Sequence, residues 1–135
     1  MSMCKLFQRI RSFFQRQAPQ RVPVRPKPSW PEIVELMYDK GLSFPVYDVV
    51  KVVYSPDKKK RLVLLKSKNH GFYKYQFEYI YSFVEDEWAY VSDQPDALPG
   101  VWMSFGNPGN SLFGTEQEAW NEATGSTAYK RCFEG

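Results

Sequence analysis

The chain has 135 residues, 43% of them hydrophobic and 17% aromatic, which supplies enough apolar material for one hydrophobic core, is short for two independent ones, and excludes global disorder. Its net charge of +3 averages two unlike parts. Residues 1–28 carry seven bases (Lys5, Arg9, Arg11, Arg16, Arg21, Arg25, Lys27) and no acid, whereas residues 29–135 carry a net −4, and Gln76 to Tyr129 holds nine carboxylates without one Lys or Arg.

No apolar run reaches the roughly 18 residues needed to span a bilayer. Cys4 and Cys132 lie near opposite ends with no Cys-x-x-Cys spacing and no secretory signal, which predicts free thiols in a reducing, cytoplasmic compartment.

In chain order, Leu6, Phe7, Ile10, Phe13 and Phe14 fall at helical spacing, with Lys5, Arg9 and Arg16 mostly off that stripe, so the chain opens with a short amphipathic helix. Five prolines between Ala18 and Pro31 then favour extended, polyproline-like chain. The division expected is an arm and linker over 1–28 and an α+β domain over 29–135. Ser29 and Glu32 make a capping-box pattern, and Ile33, Val34, Leu36 and Met37 supply an apolar face, which predicts a helix from Trp30 to Lys40 stopped by Gly41.

Val49 to Tyr54 and Arg61 to Leu65, separated by Ser55-Pro56-Asp57-Lys58-Lys59, read as two antiparallel strands. After Asn69-His70-Gly71, the segment Phe72 to Tyr81 alternates, with Tyr73, Tyr75, Phe77, Tyr79 and Tyr81 on one face. Glu87 to Val91 reads as a fourth strand entered through the turn Glu85-Asp86, and Val101 to Ser104 as a short edge strand. Asn107 to Asn110 has turn chemistry. Thr115 and Glu118 repeat the capping-box spacing and open a helix through Ala123 that stops near Gly125, followed by a strand or turn over Tyr129 to Phe133. The fold class is α+β: an antiparallel sheet of four to five strands with an N-terminal and a C-terminal helix packed on it.

The chemistry-bearing residues are sparse. His70, the single histidine, sits in a turn beside Lys66 and Lys68, where a solvated loop role outweighs that of a base in a nucleophilic triad. One histidine and two distant cysteines furnish no zinc site, and the carboxylates lack the spacing of a calcium loop, so neither metal nor cofactor is expected. Glu85, Asp86 and Glu87 lack the companion groups of an acid/base centre, and no glycine-rich phosphate loop is present. The chain reads as a binding protein and not as an enzyme.

Residues Phe72 to Ala123 resemble a pattern of small bacterial immunity proteins of polymorphic toxin systems. Aromatic-rich strands lead into the acidic-Trp step Asp86-Glu87-Trp88, an exposed loop, and the phrase Leu112-Phe113-Gly114-Thr115-Glu116-Gln117-Glu118-Ala119 that opens a C-terminal helix. The resemblance implies a cytoplasmic protein that binds and neutralises a cognate toxin by occlusion. A nuclease toxin suits the carboxylates, which mimic phosphate and steer association with a basic active site. The expected contacts are Glu85, Asp86, Glu87, Asp93 and Asp96, with Trp102 and Phe105 as aromatic anchors.

Two alternatives from other classes stand beside this reading. Lys58-Lys59-Lys60-Arg61 and the basic arm suit a nucleic-acid-binding module, against which a run of charges in a hairpin turn also discourages edge pairing. The stripe Leu6, Phe7, Ile10, Phe13, Phe14 suits weak peripheral attachment to an anionic membrane.

Overall fold

The computed structural model describes residues 25–106 and 111–134. The amphipathic helix expected over Leu6 to Phe14, most of the linker and the turn at Asn107 to Asn110 lie outside them. Within the described chain the order is α1 (Trp30–Met37), β1 (Tyr47–Tyr54), β2 (Lys60–Ser67), β3 (Tyr73–Ser82), α2 (Glu85–Val91), β4 (Gly100–Phe105), α3 (Glu116–Thr124), a one-turn α4 (Thr127–Tyr129) and a π-helical turn at Lys130–Glu134. The strands form one antiparallel sheet in the order β1-β2-β3-β4, an α+β fold with β1 and β4 at the edges.

The sheet register follows from side-chain alternation. Lys51, Leu64 and Tyr75 lie in one cross-strand row and Val53, Leu62 and Phe77 in the next, while Tyr54, Arg61 and Glu78 form a row on the opposite face. A bulge between Val49 and Lys51 leaves Val50 out of the β1–β2 pairing. The turn between these strands is held by Asp57, whose carboxylate accepts from the Lys59 amide at 3.0 Å and the Ser55 hydroxyl at 2.7 Å. The Lys59 amide, with smaller help from Ser55, Lys60 and Lys59 charges, holds the Asp57 carboxyl below its ordinary range despite an opposing burial effect.

Two expectations fail, both toward helix. Glu87 to Val91 belongs to α2 and not to a fourth strand. Its aromatic composition suits a strand, but Glu85, Asp86 and Glu87 occupy the first turn, where carboxylates complement the helix dipole. The tail from Thr127 to Glu134 is helical instead of a strand or turn, and Ser126 caps it by accepting from the Tyr129 amide at 3.2 Å. Among the described residues the sheet therefore has four strands. The first helix ends at Met37, three residues before the expected Lys40, because the chain turns left-handed at Asp39 and again at Gly41.

The chain divides into two compact units, one comprising residues up to 37 together with 81–101, the other 38–80 together with 102–135. In the first, Trp88 is 3% exposed, and its indole N–H donates to the Arg25 carbonyl at 2.8 Å. The Arg25 guanidinium lies 5.3 Å from the Trp88 ring centroid and donates to the carbonyls of Ser92 and Gln94 at 2.8 and 2.7 Å. Arg25, within the segment read as linker, thus packs on Trp88 of α2 and on the loop that follows it.

In the second unit, Ala119 and Ala123 of α3 are fully buried in a cluster with Leu62, Leu64, Tyr75 and Phe77. Two small residues four apart let this helix approach the β2–β3 face closely, and Trp120, Tyr129 and Phe133 close the margin. Outside the cluster, Lys51 of β1 places its ammonium 3.8 Å from the Trp120 ring centroid, a cation–π contact.

Candidate functional site

The carboxylates of the first unit take two different environments. Glu85 and Asp86 are exposed on the opening turn of α2, and Asp93 and Asp96 are exposed on the loop that follows it. The seven residues of α2 separate the two pairs by roughly 10 Å at 1.5 Å per residue. That loop is shaped by hydrogen bonds from the Gln94 amide to the Val91 carbonyl and from the Ala97 amide to the Gln94 carbonyl, besides the two from Arg25. Glu32 and Glu35 on α1 are also exposed, so the described part of this unit shows six exposed acids against the bases Arg25 and Lys27.

Glu87 does not belong with them. It is 1% exposed, and a single carboxylate oxygen accepts from both the Val84 amide at 2.9 Å and the Tyr81 hydroxyl at 2.9 Å. Val84 has no side-chain acceptor to return the bond, so Glu87 supplies the whole side-chain cap of α2. Its second oxygen has no partner among the described residues. Replacing Glu87 with alanine removes the cap and the acceptor of the Tyr81 hydroxyl bond, and is expected to cost about 2 kcal/mol. Glu87→Gln keeps the accepting oxygen and should cost less than half of that. Urea unfolding of both variants checks the difference.

Trp102 and Phe105 lie in the second unit, and both are half-buried. Trp102 is stacked against Arg61, whose guanidinium carbon is 4.0 Å from the ring centroid. Phe105 packs on Phe77 and Tyr79 at ring separations of 5.8 and 6.0 Å. These rings are engaged within their own unit and do not project as free anchors.

The basic run is likewise divided by its surroundings. Arg61 is fully buried and bonded to Glu78 through Nε at 2.6 Å, while Nη1 and Nη2 donate to the carbonyls of Lys40 at 2.7 Å and Gly41 at 3.2 Å. Gln76 donates to the other Glu78 oxygen at 2.6 Å. Tyr54 closes this network: its hydroxyl is 3.5 Å from Nη1, donates to Asp39 and accepts from the Asp39 amide, both at 2.8 Å. Burial pushes the Tyr54 phenol above its ordinary pKa, with the opposing pull of Arg61 too weak to cancel it. Of the remaining basic residues in the run, Lys58 lies 5.5 Å from the Tyr38 ring centroid, and Lys59 and Lys60 are half-buried. A nucleic acid would therefore find no Arg61 at this turn.

His70 is exposed, with its amide bonded to the Ser67 hydroxyl. Among the described residues no three of His, Cys, Asp and Glu converge on a common point, and no helix is long and apolar enough to cross a membrane. The sequence reading missed the buried Arg61–Glu78 pair and the part played by Arg25. The first was signalled by strand alternation, which puts Arg61 on the same side as Val63 and Leu65; the second had no local signal. Comparison with protein-family models, with curated proteins and with solved structures returned no match to this chain.

Proposed function

We propose that the protein is an immunity-type inhibitor that binds a cognate protein toxin and blocks it by occlusion, using the exposed carboxylates Glu85, Asp86, Asp93 and Asp96. The observation that supports this reading is the excess of exposed acids over bases among the described residues of the first unit, with two pairs disposed at the two ends of α2. Carboxylates spread over roughly 10 Å suit a phosphate-binding cleft on a nuclease better than they suit an acid/base centre. Complementary charge of this kind raises the association rate more than it slows dissociation.

The test begins with a toxin isolated on the tagged protein from its native cells and shown to lose its activity at one equivalent of added inhibitor. Glu85→Lys combined with Asp86→Lys should then lower the association rate at least tenfold at low salt, with a smaller change near 0.5 M salt, because screening shortens the reach of these charges. Binding that is indifferent to this charge reversal, or retention of nucleic acid in place of a protein, would overturn the proposal.

A further inference from the structure

The second unit contains a partly open cavity of about 470 Å³ lined by residues of the sheet and of the C-terminal helical tail. Small-molecule sites generally occupy about 300–1,000 Å³ and combine apolar walls with a few polar groups. Here Tyr75, Phe77 and Phe105 supply the aromatic wall, and Thr127, Ala128 and Arg131 come from the tail. Arg131 is carried on the π-helical turn, a rare geometry found disproportionately at functional sites.

Two groups distinguish this cavity from a packing gap. Tyr75 is 8% exposed and its phenol makes no hydrogen bond among the described residues, yet its oxygen is not one of the fully buried atoms, so it keeps access to solvent and can donate to a ligand in the cavity. Burial, reinforced by the Glu122 carboxylate, pushes its pKa upward, so the phenol keeps its proton at neutral pH. Arg131 is exposed and has neither a hydrogen bond nor an ion pair among the described residues. Both groups offer donors, so a ligand must bring the acceptor, and a carboxylate answers a guanidinium in geometry and in charge. Glu122, close enough to act on the Tyr75 phenol, also opposes an anion bound beside it; being exposed, it is weakened by salt, and Arg131 has to outweigh it.

We propose that this cavity binds a small apolar monocarboxylate, an aryl or medium-chain acid, with its body on Tyr75, Phe77 and Phe105 and its head group held by Arg131 and the Tyr75 phenol. The site is separate from the toxin-binding reading, since every residue lining it belongs to the second unit.

Decanoate titrated into the full chain by calorimetry should bind saturably at one equivalent, and decanol about tenfold or more weakly, the difference expected from one charge-assisted contact. Arg131→Gln should remove that preference by weakening decanoate alone. Ala128→Phe, which fills the cavity, should abolish both. A measurement that leaves every cavity residue native uses Cys4→Ser protein, in which Cys132, a lining residue, is the one remaining thiol: saturating decanoate should slow its reaction with a disulfide reagent at least severalfold. Absence of saturable binding and of thiol protection, equal affinity for decanol, or an Arg131→Gln protein that binds decanoate as the parent does would each overturn the proposal.

Discussion

Arg61→Ala is expected to destabilise the protein by about 3–5 kcal/mol, the range for removing one partner of a buried ion pair. The size follows from what is left behind. Glu78, with 5% of its side chain exposed, loses the guanidinium that neutralises it and keeps only the Gln76 amide. The carbonyls of Lys40 and Gly41 lose their Arg61 donors, and the Trp102 ring loses the planar cation stacked on it. Arg61→Lys should recover less than half of the loss, because an ammonium cannot address Glu78 and both carbonyls from one planar fork.

The double variant Arg61→Met, Glu78→Leu separates the two contributions. Were the ion pair alone at stake, apolar replacement of both members would be close to neutral. The two carbonyls add little to this, because Lys40 and Gly41 are exposed and water can replace the lost donors, so the double variant should stay within about 1 kcal/mol of the parent. Urea denaturation followed by circular dichroism measures each variant. A parent-like midpoint for Arg61→Ala would mean that the network is hydrated in solution.

The elements that could be read from the sequence are those whose signals are local. Thr115 accepts from the Glu118 amide at 3.1 Å and opens α3 where a capping pattern predicts it. The β1–β2 hairpin follows from a valine-rich run and a leucine-rich run on either side of a turn that Asp57 holds by its own side chain. The helix α2 is masked by the aromatic, strand-like content of Trp88, Tyr90 and Val91; the local signal for it is the acidic first turn with Glu87 on the Val84 amide, and a tertiary contact adds to that, with Trp88 buried and its indole N–H on the Arg25 carbonyl, 63 residues away.

The candidate sites divide in the same way. Exposure of Glu85, Asp86, Asp93 and Asp96 is the ordinary expectation for carboxylates. Glu87, one residue along, is buried because a helical turn points it back to Val84 and Tyr81. Arg61 looked like the end of a lysine run because adjacency in the sequence conceals the two-residue period that separates it from Lys60. The cavity was not legible at all, since Tyr75, Phe105 and Arg131 meet only once the tail has become helical.

Gly100→Ala is expected to cost about 3 kcal/mol, at the upper end of what overpacking usually incurs. A Cβ at this buried position would fall inside the van der Waals envelope of the Tyr81 carbonyl oxygen, with the carbonyl carbon at 3.1 Å and Ser82 Cα at 3.3 Å. All three are main-chain atoms, so no side-chain rotation relieves the clash. The two segments are tied nearby by the hydrogen bond from the Phe83 amide to the Pro99 carbonyl at 2.9 Å. Gly100 is not among the glycines with positive φ, so its requirement is for space. Without the clash, alanine would stabilise by restricting the unfolded chain. Gly71 provides the opposite case: its φ is +72° with nothing within 4 Å of a Cβ, and alanine there should cost about 1 kcal/mol through backbone conformation alone. Thermal unfolding of the two variants side by side therefore tests the β3–β4 approach itself. A Gly100→Ala protein as stable as Gly71→Ala would show that the two main chains lie farther apart in solution than their packing at Tyr81 requires.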